Sequence, residues 1–122
     1  MHSVAHFQIP LNLPHAATVA SRIVRLLPEG SQLKQLADDL LEPLLVFQVT
    51  QDYSANISTY RVRDRAAERG RQLVEGIEAE GLGRDRLGQC IRNLFECLEL
   101  GEEGAELGLR AGENPDSMQR PR

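Results

Sequence analysis

The 122-residue chain has no tryptophan, three phenylalanines (Phe7, Phe47, Phe95) and two tyrosines (Tyr53, Tyr60). Sandwiches and barrels draw their cores from β-branched and aromatic residues, so this scarcity argues against an all-β fold. Lysine is nearly missing as well: Lys34 stands alone beside 13 arginines, which reads as a high-GC coding bias of the kind most common in bacteria. The two cysteines, Cys90 and Cys97, are too few for a secreted disulfide framework. They lie seven apart on an expected helix, about 10.5 Å by helical rise, so they cannot bridge each other there. The default expectation for both is burial as small apolar groups.

Long apolar runs are absent too. The longest, Leu44 to Phe47, is four residues, far short of a membrane span. The first 20 residues contain no Arg or Lys and are broken by Pro10 and Pro14, unlike a secretory leader. The expectation is therefore a cytoplasmic protein with no membrane partner. A net charge of -4 argues against a general nucleic-acid coat.

Catalytic signatures are also missing. There is no glycine-rich elbow around a serine, no P-loop and no dinucleotide fingerprint; Gly81-Leu82-Gly83 reads as a helix connection. His2 and His6 have a ligand-like i, i+4 spacing, but they fall in a segment that reads as extended, and no CxxC or HExxH accompanies them. Asp38-Asp39 and the Glu75, Glu78, Glu80 series read as helix solvation. No catalytic residue, cofactor site or metal site is assigned.

What is present is leucine: 18 Leu, with 7 Val and 5 Ile, a composition suited to helices. Phe7, Ile9, Leu11 and Leu13 alternate with polar residues or proline and predict an extended N-terminal arm over residues 1 to 13. Pro14 suits the first turn of a helix running to Leu27, stopped by Pro28-Glu29-Gly30. Ser31 is a plausible N-cap for a second helix carrying Leu33, Leu36, Ala37, Leu40 and Leu41, which Pro43 should end or kink.

Residues 44 to 69 contain neither glycine nor proline. They predict one unbroken helix about 39 Å long. Its heptad columns are Val46, Tyr53, Tyr60, Ala67, Val74 and Val49, Asn56, Arg63, Gly70, Ile77. The competing reading is a small hairpin at 44 to 63, which would make the fold α+β. A fourth helix carries Leu87, Cys90, Ile91, Leu94, Cys97 and Leu98, and the glycine-rich acidic stretch from Gly101 reads as a loose tail. The expected architecture is all-α: a four-helix, bundle-like domain over residues 1 to 100 with one long central helix and a flexible tail over 101 to 122.

Asn56 and Arg63 interrupt an otherwise apolar seam, the pattern by which polar residues fix register and partner number. The expected function is thus a non-catalytic interaction or adaptor module, a homodimer or the binder of another protein, using Tyr53, Asn56, Tyr60, Arg63, Phe7 and Ile9. One alternative is a nucleic-acid regulator using Arg61, Arg63 and Arg65, which share a face only on a strand. The other is a small helical enzyme or ligand-binding bundle, with no residues to name.

Overall fold

Helix α1 begins where the sequence supplies both a cap and a pre-set φ. Asn12 accepts the His15 amide at 3.0 Å, Pro14 occupies the first turn, and α1 spans Leu13–Leu26. This is a computed structural model, and it describes residues 10–51 and 58–112. Leu13, expected in the N-terminal arm, is instead the first residue of α1, and residues 1–9 of that arm, Phe7 and Ile9 among them, lie outside the described residues. Val19, Ala20 and Ile23 turn the apolar face of α1 fully inward.

Ser31 caps α2 as expected, its hydroxyl accepting the Lys34 amide at 3.1 Å. Helix α2 then spans Gln32–Gln51 and does not stop at Pro43. Of the two expected outcomes, an end or a kink, the end is corrected: a proline in a helix interior removes a donor but does not forbid the helix where packing on both sides holds it. Leu40, Leu44 and Phe47, on either side of Pro43, are all buried.

The expected unbroken helix over 44 to 69 is also corrected. Helix α2 ends at Gln51, and α3, Thr59–Glu80, starts afresh behind Ser58, whose extended backbone and hydroxyl bond to the Arg61 amide form a cap. The absence of Gly and Pro permitted a continuous helix but did not require one; Ser-Thr can start one as readily as extend one. The heptad columns break with it: Ala67, Gly70, Val74 and Ile77 are buried, whereas Val46 and Val49 are exposed. The hairpin alternative is likewise corrected, since residues 44–51 and 59–63 are helical and no strand occurs among the described residues.

Gly81, in the left-handed region at φ 65°, closes α3. Helix α4 follows over Asp85–Cys97, with Leu87, Ile91, Leu94 and Phe95 buried along one face. The chain then turns through Leu98, Glu99 and Leu100 into α5, Gly101–Gly112. Residues 101 to 112 are thus a packed fifth helix, which corrects that part of the expected loose tail; the rest of it, 113 to 122, lies outside the described residues.

The glycines that read as disorder are what let α5 dock. Gly104 and Gly108 fall four apart on one face, and α4 meets that face backbone to backbone: a Cβ built on Gly88 would lie 2.3 Å from the Gly108 carbonyl oxygen. Phe95, fully buried, is gripped between Gly104 of α5 and Gly70 of α3, where added Cβ atoms would fall 2.5 and 2.8 Å from its side chain.

Residue pairs give the directions of the helices. Asn12 donates to the Cys97 carbonyl while Arg22 acts on Cys90, so α1 and α4 run antiparallel. Gly76 faces Leu33 and Leu36 while Arg69 reaches Asp39, so α2 and α3 do too. Helices α3 and α5 run parallel, joined by two-pronged ion pairs at one offset, Arg71 with Glu103 and Glu78 with Arg110. No polar or charged side chain is buried among the described residues.

Candidate functional site

One end of the molecule collects the start of α1, the C-terminal turns of α2, the first turn of α3 and the α4–α5 turn. Two of the residues singled out in the sequence meet there. The Tyr60 hydroxyl donates to Glu99 Oε1 at 2.9 Å, and the Arg63 guanidinium sits 5.0 Å from the centre of the Tyr60 ring. Arg63 Nη1 also donates to the Leu98 carbonyl at 3.2 Å, and its Nε donates to Asp64 at 2.7 Å.

Glu99 is the only described non-glycine residue with positive φ, at 64°. It occupies the left-handed position of a Schellman-type turn, in which the Leu100 amide reaches the Phe95 carbonyl and the Glu99 amide reaches that of Glu96. Glycine is the usual occupant; here the carboxylate instead holds Tyr60. The bond to Glu99, and then its charge, push the Tyr60 phenol above its ordinary value.

Arg63 is therefore spent on structure, with its side chain only 19% exposed, while the Tyr60 ring stays open. Tyr53, Asn56, Phe7 and Ile9 lie outside the described residues. Sequence reasoning missed Leu45 and Val49 as surface: on α2 both point outward, beside exposed Val46. The available signal was that the apolar residues from Leu40 to Val49 outnumber what one helix face can hold.

The basic cluster does not act as a unit. Arg63 turns to Leu98, Arg69 to Asp39 and Glu42, and Arg71 to Glu103, leaving Arg61 and Arg65 without ion pairs among the described residues. On a helix Arg63 points away from Arg61 and Arg65, so the shared face that phosphate contact needs is not formed.

Cys97 is buried and Cys90 half-buried; burial pushes both thiols up, against the opposing pull of Arg22 and Arg86 at Cys90. Thiols shifted in this direction are poor nucleophiles. Among the described residues, no group of three His, Cys, Asp or Glu could hold a metal ion, and no helix is long and apolar enough to cross a membrane. Comparison of the chain with protein-family models, with curated proteins and with solved structures finds no match.

Proposed function

We propose that this chain is a non-catalytic interaction module that pairs with a second copy of itself through the end of the molecule carrying Leu45, Val49 and Tyr60. The observation that supports this reading is the placement of exposed apolar side chains. Of the five large hydrophobic residues exposed among those described, Leu45, Val46, Val49 and Tyr60 gather at that end, and Leu109 alone lies elsewhere. Clustered exposure of this kind marks interaction sites, whereas scattered single residues need no explanation.

The choice of a like partner rests on charge. A two-fold contact sets each patch against itself, which a charged patch would resist. This one carries no excess of one sign: Gln48 lies between Leu45 and Val49, the nearby Glu42 carboxylate is engaged by Arg69, and Tyr60 has Glu99 on one side and Arg63 on the other. The test is light scattering on the eluting protein over a concentration series. The wild type should move from 13.6 kDa toward twice that mass. Leu45→Asp with Val49→Asp should stay at the lower mass, with an unchanged helical spectrum. A wild type that remains monomeric at every concentration overturns the reading.

A further inference from the structure

We propose that α5 is an exchangeable arm: Glu99 turns into the right-handed helical region, α4 and α5 join into one helix over residues 85 to 112, and α5 docks on α3 and α4 of a second copy, whose own α5 returns the contact. This exchange goes beyond the pairing of apolar faces and does not depend on it.

The hinge carries the argument. Residues 89 to 100 contain no glycine or proline, so the local propensity of Leu98-Glu99-Leu100 is to carry α4 straight on into α5. The chain turns back instead, and it does so through one residue. Leu98 stands near the helical region at φ -92° and ψ 7°, whereas Glu99 is held at φ 64°, where a side chain is strained and glycine is at ease. A short connection under strain invites exchange between copies, because joining the helices relieves the strain while every docked contact is made again in the partner. The bond from the Tyr60 hydroxyl to Glu99 is what holds the hinge shut. The Cys97 carbonyl, which accepts from the Asn12 amide, keeps a second lone pair for the Gly101 amide of the joined helix.

The arm is lightly held and its seat is selective. Leu107 is the only large side chain that α5 buries, beside Gly104, Gly108 and Ala111, so α5 gives up little apolar surface of its own on leaving. The seat itself excludes an ordinary helix: Gly88 meets the Gly108 backbone, and a Cβ at Gly104 would stand 2.5 Å from Phe95. It also reads charge. Arg71 and Glu78, seven apart on α3, bind Glu103 and Arg110, seven apart on α5. A helix with small residues four apart and that acid and base in that order fits the seat, and a second copy of α5 supplies all of it.

The test reverses the charges in halves, in the full chain carrying Leu45→Asp and Val49→Asp so that the apolar faces do not pair. One variant adds Arg71→Glu with Glu78→Arg, the other Glu103→Arg with Arg110→Glu. Each repels its own α5 and that of a like copy, whereas an exchange between the two satisfies all four pairs. Warmed together to just below the melting midpoint and cooled, they should give a dimer of twice 13.6 kDa. Native mass spectrometry with one variant isotope-labelled should find unlike pairs in about tenfold excess over like pairs. Monomers alone, or like and unlike pairs in statistical proportion, overturn the proposal. Should either variant lose its helical spectrum, Glu99→Gly with the native ion pairs answers the same question. Glycine is at ease in the turn and weakens the joined helix, so the dimer formed on warming should fall about fivefold relative to Glu99. An equal yield, or no dimer from either chain, overturns the proposal. Exchange is brought about by warming and does not enter the unwarmed concentration series that tests the apolar faces, so each reading fails separately.

Discussion

Arg69 of α3 donates from Nη1 to the carbonyl oxygen of Asp39 at 2.6 Å, and that carbonyl is the one Pro43 leaves without a partner in its own helix. In an unbroken helix the amide four residues on would serve Asp39, but proline has no amide hydrogen. The packed partner helix supplies the donor, and Arg69 adds a longer contact to Glu42 at 3.5 Å.

This relationship predicts non-additivity. Arg69→Ala should cost about 1–2 kcal/mol, because it strands a part-buried acceptor. In a Pro43→Ala background, where residue 43 regains its amide, the same change should cost about 1 kcal/mol less. Urea unfolding of the four proteins, followed by circular dichroism, measures the difference. Equal losses in both backgrounds would show that Arg69 acts through packing or Glu42 alone.

The helical glycines should differ sharply in what they tolerate. A Cβ at Gly88 would meet backbone, 2.3 Å from the Gly108 oxygen and 2.7 Å from the Gly112 Cα, so Gly88→Ala should destabilise by about 2–3 kcal/mol despite alanine's higher helix propensity. A Cβ at Gly76 would meet the movable end of Leu33, at 2.7 Å. Gly76→Ala should therefore lie within about 1 kcal/mol of wild type. Thermal melts of the two variants give the comparison directly.

The contact between Tyr60 and Glu99 has a spectroscopic signature. With Tyr53→Phe leaving Tyr60 as the only tyrosine, its alkaline titration followed by ultraviolet absorbance should run above the ordinary phenol value, because Glu99 accepts from the neutral hydroxyl and repels the phenolate. Glu99→Gln should move the midpoint down. A folded pKa raised in this way means that the contribution is present below the unfolded phenol value and is lost as pH rises through the folded one. An unmoved midpoint would mean that the bond does not persist in solution.

The two ion pairs between α3 and α5 give the opposite slope. Arg110 holds Glu78, and Arg71 holds Glu103, below the ordinary carboxylate value. Their contribution is present above the unfolded carboxylate value, about 4, and lost as pH falls through the depressed folded values. Both pairs are part-exposed, so each is worth only about 0.5 kcal/mol. The variant Glu78→Gln with Glu103→Gln should be about 1 kcal/mol less stable than wild type at pH 7 in low salt. The gap should close in strong acid and narrow at high ionic strength.

The sequence disclosed those features whose cause is local. Pro14 in the first turn of α1, Ser31 before Gln32 and the spacing of Leu87, Ile91 and Leu94 each act within one turn of helix, and all three lie where they were expected, whereas the Asn12 cap was not foreseen. What stayed hidden depends on partners distant in the chain. Pro43 is tolerated because of a residue on another helix, and the glycines of α5 read as disorder until α4 is laid against them. At the candidate site, Tyr60 was singled out as a contact residue, but as part of the seam of a continuous helix that the structure divides. The diversion of Arg63 to Leu98 depends on a residue 35 positions away, whereas the outward turn of Leu45 and Val49 left a trace in the surplus of apolar residues from Leu40 to Val49.

The backbone seam between α4 and α5 carries one more consequence. Each interior glycine lowers the intrinsic helix stability of α5 by about 1 kcal/mol relative to alanine, and a segment of 12 residues is already too short to be helical alone in water. Helix α5 therefore exists only while docked: its coil-to-helix transition and its attachment are one event, and a peptide of residues 101 to 112 would show the spectrum of a random coil.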